Sequence, residues 1–309
     1  MNINKKFFSK IGFNYLILGI TALACQIIIL NILNVTNPQY INDINIISIL
    51  SSVCNYVLPF PIFYWLMKKI NSVKVETISV KPKTFIMYIG ITLTLMWIGN
   101  IIGLIITTLL SITLQNDIAN PIQQVINNTD IWFNLLVISI IAPIFEEILF
   151  RKFLIDRTIK YGAKVSIILS AVIFALFHGN LNQFFYALLM GGFFAYVYIK
   201  TGKIVYTIIL HIIVNLLGSV VSLFVANSIT NLVSGYTLVD VVIVMAYVAA
   251  IFSFLIIGLI GLTKFKKARF NGQKTQIGLE NPFKTMFSNY GMVCLILFFV
   301  FEMVYQVLG

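Results

Sequence analysis

The chain has 309 residues, of which 60% are hydrophobic and only 10% carry a charge, and its mean hydropathy is +0.98. Soluble domains carry roughly 25% charged residues, so this composition excludes an ordinary soluble fold. Every backbone amide inside a bilayer must be satisfied within its own segment, so apolar runs of about 20 residues predict membrane-spanning helices. The sequence therefore predicts an all-α polytopic membrane protein.

Apolar runs long enough to span a bilayer recur along the whole chain, and they predict about eight or nine transmembrane helices. The runs cover residues 12–33, 46–67, 84–113, 131–151, 164–178, 182–199, 204–226, 240–262 and 286–308. The fifth and sixth runs are short, and a tight turn at residues 179–181 predicts an antiparallel hairpin. Because the intramembrane polar residues concentrate in the middle of the chain, we divide it into N-terminal helices over 1–130, a functional core over 131–225 and C-terminal helices over 226–309.

The net charge of +11 would fit a nucleic-acid-binding protein, so the placement of the 21 basic residues has to decide. All of them fall on alternate loops, whereas the intervening loops carry aspartates and no Lys or Arg. By the positive-inside rule this pattern places the N-terminus in the cytoplasm and, if all the runs span, the C-terminus outside. We therefore expect a plasma-membrane protein in contact with the lipid bilayer and no nucleic-acid partner.

Two adjacent carboxylates, Glu146 and Glu147, lie late in the fourth apolar run. A charge inside hydrocarbon costs at least about 2.5 to 3.5 kcal/mol, so such residues usually face a protein interior or a water-filled cavity. Glu147 and Arg151 are four residues apart and can pair on one helix face, whereas Glu146 points about 100° away and is the freer carboxylate. If the span instead ended here, both carboxylates would reach interfacial water.

The two histidines of the chain, His178 and His211, fall in different apolar runs. Either one alone would be interpreted as a packed core residue, but together with the carboxylates they indicate a site. Glu146 lies sixteen residues before the turn at Gly162 and His178 sixteen after it, so two helical arms bring them to one level. His211 lies about 12 Å into the membrane at about 1.5 Å per residue, and Asn215 lies one turn deeper on the same face.

Three short motifs on successive runs carry a resemblance to a known family. In chain order they are Glu146-Glu147-x-x-x-Arg151, Phe174-x-x-x-His178 and His211-x-x-x-Asn215. This ordered set resembles the motifs of the CPBP family, which includes the type II CAAX prenyl proteases and bacterial bacteriocin-processing or self-immunity proteins. The resemblance is confined to the motif-bearing core, since the flanks are merely hydrophobic.

The resemblance implies a glutamate-dependent intramembrane endopeptidase. On this interpretation Glu146 takes a proton from water that His178 helps to orient, and His211 with Asn215 stabilises the oxyanion. The supporting residues are Glu147, Arg151 and Phe174, the first two as an ion pair. The expected substrate is a membrane-associated or leader-type peptide cleaved near the cytoplasmic side.

Family members are also described as metalloproteases, which leaves a zinc-dependent mechanism open. In that case Glu146, His178 and His211 would be the ligands, with a position left for water. Nothing in the chain resembles the H-E-x-x-H helix of zinc proteases, so we favour metal-free hydrolysis and predict no cofactor.

Two other classes of function fit the same residues. A proton-coupled transporter could use them as a relay, although no internal repeat or paired broken helices are evident in the sequence. A non-catalytic membrane scaffold or immunity protein could share the fold. The richness in Ile, Asn and Lys is typical of AT-rich bacterial coding, which favours a bacteriocin-like or signalling peptide over a prenylated CAAX substrate. The sequence leaves the oligomeric state open.

Three further features predict packing rather than chemistry. Ala187, Gly191 and Ala195 repeat at every fourth position, which favours close helix packing. Asn180 is expected to cap the turn after His178, and Glu302 near the end of the last run is expected to pair or to reach the interface.

Overall fold

The computed structural model describes residues 2–265 and 276–308. In these residues eight helices are long and apolar enough to cross a membrane, one shorter apolar helix accompanies them, and no strand occurs. The predicted all-α polytopic membrane fold is therefore confirmed. The division of the chain at residues 130 and 225 stays a prediction.

Eleven helices are numbered here in chain order. They are α1 (Ile3–Thr36), α2 (Ile44–Lys68), α3 (Pro82–Leu114), α4 (Pro121–Asn128), α5 (Ile131–Tyr161), α6 (Ala163–Leu176), α7 (Leu181–Thr201), α8 (Ile204–Ser234), α9 (Leu238–Phe265), α10 (Pro282–Phe287) and α11 (Tyr290–Leu308). Their long apolar stretches are the reason for helix formation, because an α-helix satisfies every backbone hydrogen bond within its own segment in lipid.

Two of the predicted spans differ in length from the sequence-based expectation. The fourth run was expected to end at residue 151, but α5 continues to Tyr161, because the buried Asp156 pairs with Lys152 and the buried Arg157 donates to the carbonyl of Met67 at 2.9 Å. The fifth run is a helix of only 14 residues, α6, which is about 21 Å long and too short to cross a hydrocarbon core of about 30 Å.

The predicted hairpin between α6 and α7 is confirmed. Gly179 adopts a left-handed backbone conformation with a φ of 63°, which a residue without a side chain adopts at little cost. Asn180 then caps α7, because its side-chain oxygen accepts a hydrogen bond from the amide of Gln183 at 2.9 Å. The turn places His178 at the end of α6, next to the start of α7.

Wide π-helical turns interrupt three of the spans near the middle of the bundle. They cover Val53–Val57 in α2, Asn134–Ile141 and Ile148–Phe153 in α5, and Leu217–Val221 in α8. Pro143 in α5 lacks the N–H that a regular helix would use there, which favours a change in hydrogen bonding. Such turns occur frequently at functional sites, and here two of them flank the carboxylate pair.

The helix α4 lies in the connection between α3 and α5, on the side of the protein opposite the lysine-rich loops. It buries Ile126 and leaves its polar face exposed. The Asn134 amide donates to the carbonyl of Ile126 at 2.9 Å, and the amide of Asp130 donates to the side chain of Asn45 at 2.8 Å. The first bond ties α4 to the first turn of α5, and the second ties the start of α5 to the first turn of α2.

The small-residue face of α7 packs as predicted. Ala187 and Ala195 are fully buried, and a Cβ atom on Gly191 would lie 2.8 Å from the ring of Phe174 in α6. Since Cβ atoms essentially never approach a carbon atom that closely, the ring occupies the space that the absent side chain leaves. The position of Phe174 therefore depends on glycine at residue 191.

We expect Gly191→Ala to lower the free energy of unfolding by about 1 to 3 kcal/mol, because the added methyl group overpacks against Phe174. The change is measured as a lower melting temperature of the detergent-solubilised protein. Gly192→Ala is the matched control, since its methyl group would meet Ala171 at an ordinary 3.7 Å and alanine is the better helix former. Equal melting temperatures for the two variants would contradict this account of the α6–α7 contact.

Candidate active site

A buried ion pair lies at the centre of α5. Nε of Arg151 lies 3.0 Å from Oε2 of Glu147, and both side chains are fully buried. The N–H of Arg151 does not point at this oxygen, so the contact is an ion pair without good hydrogen-bond geometry. The predicted pairing along one face of the helix is confirmed.

The guanidinium of Arg151 is further stabilised by its neighbours on α6. It donates to the hydroxyl of Ser170 at 3.2 Å, and its carbon lies 4.4 Å from the ring centre of Phe174. A cation over an aromatic face is attracted by the ring, most strongly where water is excluded. Phe174, the first residue of the second motif, therefore supports the ion pair of the first motif.

His211 in α8 connects the two carboxylates of α5. Its Nδ1 lies 3.0 Å from Oε1 of Glu147, and its Nε2 lies 3.7 Å from Oε2 of Glu146. Since the carboxylate of Glu147 only accepts, Nδ1 carries the hydrogen, and Nε2 faces Glu146. Glu147 thereby fixes the orientation of the imidazole, as outer-shell carboxylates do for histidines at many active sites.

Glu146 has a different environment from the adjacent Glu147. Its side chain retains 16% exposure, against 0% for Glu147, and it lines a cavity. The hydroxyl of Tyr56 in α2 donates to Oε1 of Glu146 at 2.7 Å. The expectation that Glu146 is the freer carboxylate is confirmed, and Tyr56 is a contact that the sequence did not reveal.

His178 and Asn215 line the same cavity as Glu146. Nδ1 of His178 lies 2.9 Å from the carbonyl oxygen of Phe174, so this nitrogen carries the hydrogen and Nε2 is left as an acceptor. The amide of Asn215 donates to the carbonyl of Ile138 in α5 at 2.9 Å, which holds α8 against α5. The four residues expected to converge therefore share one cavity, while their catalytic roles stay predictions.

The cavity has a volume of about 670 Å³ and is lined by side chains from most of the spans. Serine, asparagine and glutamine provide most of its polar surface. Glu302 in α11 also lines it, although the sequence led us to expect this residue in a pair or at the interface. Cleavage near the cytoplasmic side, which we also expected, stays a prediction.

Glu146, His178 and His211 are the three side chains that a zinc-dependent mechanism would use as ligands. Across residues 2–265 and 276–308, no three or more His, Cys, Asp or Glu side chains are positioned to hold a metal ion. His211 directs its Nδ1 to Glu147, and Glu146 already accepts a hydrogen bond from Tyr56. The three side chains considered as zinc ligands therefore do not form a ligand set here, and we derive no step through zinc.

The fold and the site together define a polytopic helical membrane protein with a carboxylate–histidine centre buried among its spans. Residues 128–217 match the family model described as Type II CAAX prenyl endopeptidase Rce1-like. This segment holds all three motifs, so the predicted resemblance is confirmed there, and the family indicates an intramembrane protease of the CAAX type in general. Comparisons with curated proteins and with solved structures found no match.

We expect Arg151→Met to destabilise the protein by about 3 to 5 kcal/mol, because it leaves the buried charge of Glu147 without its partner. The double variant Glu147→Gln with Arg151→Met removes both charges and keeps an acceptor for His211, so it should recover much of this loss. Thermal unfolding of the two variants in detergent measures the difference. A double variant no more stable than Arg151→Met alone would show that the ion pair is not the cause.

Proposed function

We propose that the protein is an intramembrane endopeptidase in which Glu146 is the general base that activates water. One observation carries the proposal: Glu146 lines the cavity while the adjacent Glu147 is fully buried against Arg151 and His211. Two neighbouring carboxylates with such different environments are suited to different tasks. Glu146 is placed to meet water and substrate, and Glu147 is placed to orient the histidine.

The proposed reaction is a hydrolysis that needs no covalent intermediate. Glu146 takes a proton from a water molecule oriented by Nε2 of His178, and the water oxygen attacks the carbonyl carbon of the scissile bond. The electron pair of the C=O bond moves to its oxygen, and His211 and the amide of Asn215 stabilise this oxyanion. The C–N bond then breaks, and Glu146 returns the proton to the leaving nitrogen.

Tyr56 and Glu147 are proposed as positioning residues. The hydrogen bond from Tyr56 to Oε1 leaves Oε2 of Glu146 on the side of His211. The contact of Glu147 with Nδ1 of His211 directs Nε2 of the same ring toward Glu146. This arrangement brings Nε2 of His211 to 3.7 Å from Oε2 of Glu146, so the two groups can contact the same reacting carbonyl and water.

The cellular setting of the proposal follows from the sequence. We propose a bacterial plasma-membrane protein with its N-terminus in the cytoplasm, because all the basic residues lie on alternate loops. Its partners are the lipid bilayer and a membrane-associated or leader-type peptide, such as a bacteriocin-like or signalling peptide. Self-protection against such a peptide is the physiological role that we favour.

We expect Glu146→Gln to lower the cleavage rate of a quenched fluorescent membrane-peptide library by about 10²- to 10⁴-fold, because the amide cannot accept the proton. Glu280→Gln, in an exposed loop, is the matched control and should cleave as the wild type does. Because the mechanism uses no metal, a zinc chelator should leave the wild-type rate unchanged. Full activity of Glu146→Gln would refute the proposal and favour a scaffold or transporter, and loss of activity with the chelator would refute the metal-free mechanism.

We expect Tyr56→Phe to lower kcat/KM by about 10- to 100-fold, since a hydrogen bond to a charged group contributes about 1.5 to 3 kcal/mol. Tyr64→Phe in the same helix is the control, because its hydroxyl makes no hydrogen bond among the residues that the structure describes, while its ring packs on Phe60 and Phe153. The same library assay distinguishes the two variants, and equal rates would remove Tyr56 from the site.

A further inference from the structure

The cavity at Glu146 extends toward one face of the membrane only. Beyond the site residues, its lining includes Ser48 and Ser51 in the first turns of α2, and Asn120 and Gln123 at α4. The first turns of α2 and the helix α4 lie on the side of the bundle where the connecting loops carry no Lys or Arg. Within residues 2–265 and 276–308, the lining contains no lysine and no arginine.

The opposite side of the site is closed by packed side chains. Below Glu146, Leu149 and Phe150 form the floor of the cavity, and the hydroxyl of Tyr15 donates to the carbonyl of Leu149 at 2.6 Å. Arg151 and Leu154, which follow on α5, are fully buried. Since protein interiors are packed as densely as organic crystals, this layer separates the cavity from the lysine-rich side in the part of the chain that the structure describes.

The short hairpin of α6 and α7 produces the recess. The carbonyl of Asn182, near the hairpin turn, lies against Gly103 of α3. The helix α3 continues for 11 residues beyond Gly103 to Leu114 (114 − 103), which corresponds to about 16 Å. The hairpin therefore stops about 16 Å below the end of α3, and the cavity occupies part of the space above it.

We infer that the substrate peptide reaches Glu146 from the non-cytoplasmic face of the membrane. The basic loops assign the closed side to the cytoplasm, and the cavity opens on the other side. The substrate class is then an exported peptide, or the extracytoplasmic end of a membrane-anchored one. The term substrate rests on the proposed function, whereas the direction of access does not.

The charges of the lining narrow the substrate class further. Glu146 and Glu302 are its only charged side chains, and Glu302 makes no hydrogen bond or ion pair within residues 2–265 and 276–308. Among the described residues, a free carboxylate at a peptide C-terminus would meet no lysine or arginine here. The lining instead suits an internal peptide bond flanked by neutral or basic side chains, with Glu302 available to a basic one.

Cysteine labelling in intact cells tests the direction of access without any need for activity. The background variant replaces Cys25 and Cys294 with alanine and keeps Cys54, which is 1% exposed and therefore unreactive. Single cysteines are then introduced as Gln123→Cys at the mouth and Ser51→Cys within the cavity. The matched control is Ser72→Cys in the lysine-rich connection between α2 and α3, where the serine is exposed.

We expect a membrane-impermeant maleimide to label Gln123→Cys and Ser51→Cys about ten-fold more than Ser72→Cys in intact cells, and all three after permeabilisation. Labelling of Ser72→Cys alone in intact cells would overturn the inference, because it would show that the lysine-rich side faces the outside of the cell. Labelling of Gln123→Cys without Ser51→Cys, even after permeabilisation, would also overturn it, because it would show that the cavity is not accessible from its mouth. The Glu146→Gln variant should give the same labelling pattern, so failure of the proposed catalysis remains distinguishable from failure of the access route.

Discussion

The buried ion pair of Glu147 and Arg151 is the constraint on which the rest of the site depends. Two charges that have left water must be satisfied by the protein itself, because neither lipid nor solvent reaches them. The residues that satisfy them come from other helices, with Ser170 and Phe174 in α6 and His211 in α8. The pair thereby fixes the relative positions of three helices before any substrate arrives.

Adjacent positions on one helix acquire opposite properties through this packing. A rotation of about 100° between neighbouring residues turns Glu147 into the interior and Glu146 toward the cavity. His211 contacts one carboxylate with each of its ring nitrogens, at 3.0 Å and 3.7 Å. A change at the buried Glu147 is therefore transmitted to Glu146, which lines the cavity, through the imidazole of His211. This explains why residues without access to the cavity belong to the same motifs as those that line it.

The sequence predicted the features that depend on local hydrophobic periodicity and on the free-energy cost of placing a charge in hydrocarbon. Apolar runs revealed the spans, the spacing of Glu147 and Arg151 revealed their pairing, and residues 179–181 revealed the hairpin. It did not reveal Tyr56, because one tyrosine in an apolar run gives no signal of its partner 90 residues away. The true end of α5 was equally hidden, since charged residues usually mark the end of a span, and only tertiary pairing allows the helix to continue.

The shortness of α6 has a consequence for how water is supplied. A helix of 14 residues that turns back at Gly179 stops below the end of α3 and leaves a recess above the turn. Polar side chains line the resulting recess, so the aqueous phase can extend down to the level of the two histidines. The recess therefore carries a polar surface into the apolar bundle, and it shortens the hydrophobic stretch that separates the two histidines from the side on which α4 lies.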